Sequence, residues 1–312
     1  MKDKIFENLR GTLTGVEKNI PLKDYTTFKI GGPAKYFFVA KTKEDLLTAV
    51  KIAKKMNLPI FILAGGSNLL VSDKGFKGLV INFQLNLTGS KQPIFNFQND
   101  KIHVGAGTRL NDLVNFCTKN NLTGLEWAAG IPGTVGGAIF GNAQAFGEKI
   151  SDAIETVEIF DTKTLEIKNF TKKQCKFSLK SSIFKKSKNL IIISAVFSPE
   201  KGDKEKINEK TKEFLNYRKN HHPMVFPSAG SMFVNPEKGG EIIRAGYLIE
   251  KVGLKGKKIG KAQISEQHAN FIVNLGGAKA KDVAALIKLA QKKVKKTFDV
   301  SLETEVQIIG DI

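Results

Sequence analysis

Cysteine is nearly absent. Cys117 and Cys175 are the only two in 312 residues. Two thiols do not build the disulfide framework of a secreted domain, and neither has a partner at metal-ligand spacing. The pattern fits a reducing cytoplasm. Histidine is also scarce: the four residues His103, His221, His222 and His268 are too scattered to suggest a metal site, so none is expected. Arginine also numbers four (Arg10, Arg109, Arg218 and Arg244), although lysine and arginine together reach 49. Long apolar runs are missing. The longest, such as 190–197, fall far below the ~20 residues of a membrane span. Residues 1–10 mix charged and apolar side chains without the apolar block of an export signal, so neither membrane insertion nor export is expected.

What is present is an ordinary globular composition with an unusual charge. Hydrophobic residues make up 41% and charged residues 25%, which excludes a disordered chain, a collagen-like chain and a small disulfide scaffold. The length suggests about two domains and a core that needs no staple. Forty-nine basic residues against 30 acidic ones give a net charge of +19. Such an excess suits nucleic acid, an anionic membrane or a phosphorylated substrate. Arginine, the residue suited to bidentate recognition of phosphates and bases, is the rare one. With 22 Phe against 4 Tyr, the lysine excess reads mainly as the drift of an AT-rich genome. Its remaining role is attraction of an anionic small molecule, and no nucleic-acid partner is expected.

Alternation predicts a strand over 35–40, and apolar spacing predicts a helix over 43–56 with Thr42 as N-cap. Pro59 ends that unit and 60–64 reads as a short buried strand. Further strands are expected at 79–83, 94–98, 101–105, 155–160, 165–170 and 190–197, with a helix at 108–119 capped by Thr108. A charged helix over 205–220 leads into a third unit. That unit has a strand near 231–234, a helix near 239–252, a Gly/Lys turn at 253–260, a strand at 270–274, a helix at 279–296 and a strand at 305–309. The order is α+β, without the long alternation of a doubly wound sheet.

Two glycine-rich segments carry chemistry. One is Ala64-Gly65-Gly66-Ser67-Asn68-Leu69-Leu70, directly after a buried strand. The other is Gly130-Ile131-Pro132-Gly133-Thr134-Val135-Gly136-Gly137-Ala138, with Gly141-Asn142-Ala143 beyond it. Glycine lets backbone approach a ligand closely, and successive N–H groups form a concave anion site. Two such loops suit the two phosphates of a dinucleotide; either alone is equally an ordinary tight turn. Neither is a Rossmann or P-loop fingerprint. The segment Lys29 to Ala34 is a candidate third loop at the same ligand. Ser231 follows a small-residue turn, a placement suited to proton donation, although a plain Ser/Gly turn explains it as well. Tyr217 to Pro223 is a basic helix end. Strand alternation puts Glu303 and Glu305 on one face, aimed at solvent or at a cleft.

Together these strings resemble the UDP-N-acetylenolpyruvoylglucosamine reductase family, in its shorter form. They are Thr27 to Ala34, Ala64 to Leu70, Gly130 to Ala143, Pro227 to Pro236, His268 to Gly277 and Glu303 to Val306, in order over about 20–310. The resemblance implies a two-part FAD-binding domain of the vanillyl-alcohol-oxidase (PCMH-type) group, in 1–80 and 81–206. It further implies a UDP-sugar domain in 207–304 and a C-terminal strand, 305–312, returning to the FAD-binding part. It implies non-covalent FAD on Lys29, Gly65, Gly66, Ser67, Asn68, Leu69, Gly130, Ile131, Pro132, Gly133, Thr134, Gly136, Gly137, Gly141 and Asn142. NADPH is then the hydride donor, and an enolpyruvyl UDP-sugar is the substrate, in the peptidoglycan precursor synthesis of a cytoplasmic monomer. Ser231 matches the family's proton donor, and Glu305 its charge-stabilising carboxylate. Arg218, Lys219, Asn235 and His268 fall in the substrate motifs.

Four positions depart from the pattern. Lys180 stands where the family carries the arginine that meets the substrate carboxylate, beside Leu179 in place of tyrosine. Gln144 replaces a glycine, and His222 replaces the glutamine before Pro223. Two other readings follow: a different FAD oxidoreductase of the same fold, or a scaffold with weakened catalysis.

Overall fold

The computed structural model describes residues 3–83 and 95–312. Contacts group the chain into two units. The first comprises Met1–Lys18, Tyr36–Gly65 and Gly78–Tyr217; the second comprises Asn19–Lys35, Gly66–Lys77 and Arg218–Ile312. The architecture is α+β.

In the first unit the helix Lys43–Lys55 begins with a complete capping box. Thr42 Oγ1 accepts from Asp45 N, and the Asp45 carboxylate accepts from Thr42 N at 3.0 Å. Two orphan N–H groups of the first turn are thereby satisfied. Leu46, Ala49, Val50 and Ala53 recur on one face and are buried. The strand Ile60–Leu63 runs parallel to Phe76–Phe83, with Pro33–Ala40 and then Glu17–Pro21 on the far side of the latter. A second, five-stranded sheet has the order Glu166–Thr171, Ile154–Asp161, Leu190–Phe197, Lys101–Gly105, Asn96–Gln98. Its pairs are antiparallel. Tyr36, Leu46, Leu79, Trp127, Val157 and Phe197 belong to one core. Cys117 and Cys175 are buried, free thiols, and burial pushes both up to about 12; they behave as small apolar residues.

In the second unit, Ser228–Ser231, Phe271–Asn274, Ala262–Ile264 and Lys258–Ile259 form a sheet in that order. The helix Ala280–Phe298 buries Val283, Leu286, Ile287, Ala290 and Val294. Asp73 caps its start, accepting from Ala280 N at 2.9 Å and Lys281 N at 3.2 Å. Leu69–Val71 pairs in parallel with Gln307–Ile309. Phe28, Ile30 and Leu70 are buried with Met232, Phe233, Leu248 and Leu286. This burial draws residues 19–35 and 66–77 to the C-terminal core. The grouping differs from a division along the chain at 80, 206 and 304.

Several sequence expectations shift. The helix expected at 108 starts at Leu110, with Arg109 as its N-cap, because the Thr108 carbonyl accepts from Val135 N instead. The strand expected at 231–234 ends at Ser231, and Phe233 makes a single bridge to Thr304. The helix expected from 239 begins at Ala245. A hairpin of Glu237–Lys238 and Glu241–Ile242 occupies the earlier residues, turning at Gly239 and Gly240, both at positive φ. The C-terminal strand is Gln307–Ile309, with Val306 buried but Ile308 45% exposed. Those two therefore do not share a core face, and simple alternation does not orient Glu305. The helix Lys4–Thr12 and the helix Val135–Gly141, inside the glycine-rich stretch, were not expected. Of the strand expected at 94–98, residue 94 lies outside the described residues.

Candidate functional site

In the first unit the glycine segments touch backbone to backbone. A Cβ on Gly65 would lie 2.7 Å from Gly133 Cα and 3.3 Å from Thr134 N, so only glycine permits the approach. The second loop is bonded at each turn. Gly130 N donates to Asn111 Oδ1 at 2.9 Å. Leu110 N reaches Gly133 O at 3.0 Å, and Gly136 N reaches Ala106 O at 2.8 Å. Thr134 caps the helix Val135–Gly141, its hydroxyl accepting from Gly137 N at 3.2 Å. Ile131 packs on the core while Pro132 is exposed.

Asn142 ends that helix in a left-handed conformation, φ 45°. It is 2% exposed, its Nδ2 donates to Ser178 O at 2.9 Å, and its Oδ1 meets no hydrogen-bond partner among the described residues. A buried acceptor left open costs about 1–3 kcal/mol, and a hydroxyl or ring N–H of a bound group would satisfy it. The side-chain-free approach at Gly65 and the open Asn142 acceptor both fit a flavin dinucleotide.

Three bonds tie residues 178–182 to the end of the same helix and the residues just beyond it. Besides Asn142, Ser182 Oγ donates to Phe140 O at 2.7 Å, and Lys180 Nζ donates to Gln144 O at 3.3 Å. Lys180 is half-buried at φ 50°. Phe146, also at positive φ (55°), stacks on Phe214 with ring centroids 4.4 Å apart and meets Tyr217 edge-on at 5.1 Å. No sequence signal marked it, because Phe-Gly is not a usual turn pair.

The second unit brings Asn68, Ser231 and Glu305 together. Glu305 N donates to Met232 O at 2.8 Å, one residue from Ser231. Asn68 Nδ2 donates to Glu305 O at 3.1 Å, and Gln307 N donates to Asn68 O at 3.0 Å. Leu69 pairs with Gln307. Gly66 lies against the Tyr25 carbonyl, and its own carbonyl accepts from Thr27 N at 3.1 Å. Ser67 is half-buried. Lys29 is exposed at φ 55° between the buried Phe28 and Ile30, and Asn274 Nδ2 donates to Phe28 O at 3.0 Å. Asn235 Oδ1 accepts from Ala245 N at 3.0 Å.

Arg218 is 8% exposed, whereas Lys219 is exposed. Burial lowers the Arg218 guanidinium below its usual range. His222 and His268 both pack on Phe271, at 5.0 Å each, and meet each other at 5.8 Å. Burial first, and then the cationic groups of Arg218, His268 and His221, hold His222 down at about 4. Burial also lowers His268, and Lys255, His221 and Arg244 add to the effect. The sequence reading marked His222 only as a departure before Pro223, and it missed Phe271, whose ring joins the two histidines.

An unfolded chain protonates His222 near 6.5, and the folded one only near 4. The unfolded state thus binds more protons between these values, so the stability due to neutral His222 is complete above about 6.5 and falls as pH drops toward 4. Denaturant midpoints measured across this window should decline less steeply for His222→Gln than for the parent; equal slopes would count against the assignment. Gly65→Ala should cost about 1–3 kcal/mol through overpacking against backbone, read as a lower unfolding midpoint. An unchanged midpoint would show that the loops part freely.

Among the described residues no group of three or more His, Cys, Asp or Glu could hold a metal ion, and no helix is long and apolar enough to cross a membrane. Residues 34–167 match the family model described as "FAD binding domain". Residues 222–309 match that of "UDP-N-acetylenolpyruvoylglucosamine reductase, C-terminal domain". The curated UDP-N-acetylenolpyruvoylglucosamine reductase of Clostridium novyi (strain NT) is 39% identical over 297 residues, 95% of this chain and 92% of the relative. That of Lactobacillus gasseri is 41% identical over 295 residues, 95% of this chain and 94% of the relative. The crystal structure of the Thermus caldophilus enzyme superposes with a TM-score of 0.77 at 34% identity, covering 95% of this chain and 99% of that one. With glycine loops, serine and carboxylate all in the expected order, the chain belongs to the UDP-N-acetylenolpyruvoylglucosamine reductase family.

Proposed function

We propose that Ser231, Glu305 and Lys180 carry the proton and charge chemistry of the reduction that family membership assigns to this chain. The chain is a UDP-N-acetylmuramate dehydrogenase, an FAD-dependent oxidoreductase of peptidoglycan precursor synthesis with NADPH as donor. FAD held by the glycine segments would supply the hydride chemistry that couples NADPH oxidation to reduction of the enolpyruvyl group.

Hydride addition to an enol ether leaves negative charge beside the substrate carboxylate. Fixed cations and donors there lower the barrier, often by several kcal/mol. Lys180 is the cation for this task, and Glu305 the carboxylate that orders the developing charge. The Ser231 hydroxyl then delivers the proton to carbon. The observation that carries this reading is the bond from Glu305 N to Met232 O at 2.8 Å, which sets the carboxylate residue beside the serine. Arg218, Lys219, Asn235 and His268 are assigned to the nucleotide sugar. FAD is assigned to Lys29, to Gly65 through Leu69, to Gly130 through Thr134, and to Gly136, Gly137, Gly141 and Asn142. Residues 1–80 and 81–206 are the two parts of the cofactor domain, 207–304 is the substrate domain and 305–312 is the returning strand. The two free thiols support a cytoplasmic protein and the scarcity of arginine supports one without a nucleic-acid partner; the reading takes it to act as a monomer.

One anaerobic cuvette tests the reading. NADPH should bleach the FAD-loaded protein, and the enolpyruvyl UDP-sugar should restore the flavin band. In Ser231→Ala bleaching should persist, while turnover falls by roughly 10²–10⁴-fold, the share of a positioned proton donor. Full turnover by that variant would remove Ser231 from the mechanism.

Lysine keeps the charge of the family's arginine but loses its planar fork. Lys180→Arg should therefore raise kcat/KM in steady-state assays. No change or a fall would sink the assignment of Lys180.

A further inference from the structure

The strand Ser228–Ser231 loses its regular ladder just where the serine stands. Ser228 pairs with Val273, but Ser231 pairs with Phe271, so three residues advance against two. Gly230 takes up the extra residue at φ 77°, in open space. Beyond Ser231 the sheet ends, and the next two residues need other partners for their backbone groups.

One residue supplies most of them. Asn270, 4% exposed, accepts from Met232 N through its own carbonyl at 2.7 Å. Its side chain then engages both backbone groups of Phe233. Oδ1 accepts from Phe233 N at 3.0 Å, and Nδ2 donates to Phe233 O at 2.9 Å. On the other side Met232 O accepts from Glu305 N at 2.8 Å, and Val234 N donates to Glu303 O at 2.9 Å. Residues 232–233 are thus a rung between Asn270 and the segment 303–305. Ser231 precedes the rung, and Glu305 is bonded across it. Asn270 is itself held, its N–H donating to His268 Nδ1 at 3.2 Å.

We propose that Asn270 is a positioning residue for proton delivery, its side-chain amide fixing the Ser231 hydroxyl relative to the Glu305 carboxylate. This rests on the reading of Ser231 as proton donor. A neutral amide offers one acceptor and two donors in a plane, which matches a peptide group. An ionised carboxylate offers acceptors only, so aspartate keeps the shape and loses the bond to Phe233 O. A displacement near 1 Å at a reacting group can cost ~10²-fold in rate.

The test uses the FAD-loaded full chain. Asn270→Asp and the smaller Asn270→Ser, with Ser231→Ala as reference, are compared in three measurements: flavin reduction by NADPH, kcat and KM for the enolpyruvyl UDP-sugar, and the solvent deuterium isotope effect on kcat. Asn270→Ser carries the test if the aspartate variant does not fold. The expected result is unchanged flavin reduction and KM, kcat lower by roughly 10- to 100-fold, and a larger isotope effect as proton delivery becomes the slow step. Parallel losses in both half-reactions with an unchanged isotope effect would mark a merely structural role and overturn the proposal. Parent-like Asn270 variants beside a slow Ser231→Ala would overturn it too, leaving the serine assignment intact. A Ser231→Ala variant with full turnover would remove the underlying reading itself.

Discussion

Irregular backbone has to be hydrogen-bonded somewhere, and in this protein asparagine side chains do much of that bonding. The segments proposed to carry function are loops, bulges and single bridges, where neither a helix nor a ladder is present to pair the N–H and C=O groups. Asn270 pairs both groups of Phe233. Asn274 donates from Nδ2 to Phe28 O and accepts at Oδ1 from Gly276 N and Ala278 N. Asn142 holds Ser178 O, Asn68 holds Glu305 O, Asn111 holds Gly130 N and Asn235 holds Ala245 N. An amide can do this because it carries donor and acceptor in the geometry of a peptide unit without a net charge to desolvate. Family resemblance marked Asn68, Asn142 and Asn235 as ligand contacts. Each also has one polar side-chain atom committed to the fold, so on the proposed ligand roles its substitution would disturb loop and ligand together.

That division of labour decides what was legible in the sequence. Regular elements announced themselves through side-chain periodicity and caps. The helix Lys43–Lys55 has its capping box and apolar face, and the helix Ala280–Phe298 its buried stripe. The helix Val135–Gly141 did not, because glycine has low helix propensity and tertiary packing at Ala106 overrides it. Ser231 and Glu305 were visible as motifs, but the geometry joining them was not. The bend at 306 breaks the alternation on which the strand argument depended, and the rung at 232–233 is built by a residue almost forty positions downstream. Nothing local in Asn270 distinguishes it from an ordinary turn asparagine.

The charge separates in a similar way. The excess is carried by lysines, and ion pairs such as Lys101–Glu155, with side chains 44% and 38% exposed, add little to stability. A net charge of +19 speaks to solubility and to attraction of anions, not to the fold. The one arginine of the basic helix end, Arg218, is buried beside the histidine pair, while Lys219 faces solvent. Neighbours that read alike in sequence thus occupy unlike environments. The helical turn, and not the composition, decides which of them lowers the proton affinity of His222.

The two departures at Lys180 and Gln144 meet in space, which invites the view that one compensates for the other. The contact does not support a side-chain exchange. Lys180 Nζ donates to the backbone carbonyl of Gln144, a group that any residue at 144 supplies, glycine included. The lysine therefore keeps this anchor whatever stands opposite, and the position of its ammonium is set by the turn 178–181. That turn is fixed in its own right by the Asn142 and Ser182 bonds. Losing the guanidinium fork costs donors toward a ligand carboxylate, while the turn that presents the charge is retained. On the proposed role of Lys180, a site altered in this way keeps its electrostatic field and gives up part of its directional hydrogen bonding, so the change falls on the strength of charge stabilisation and leaves the class of reaction as the family has it.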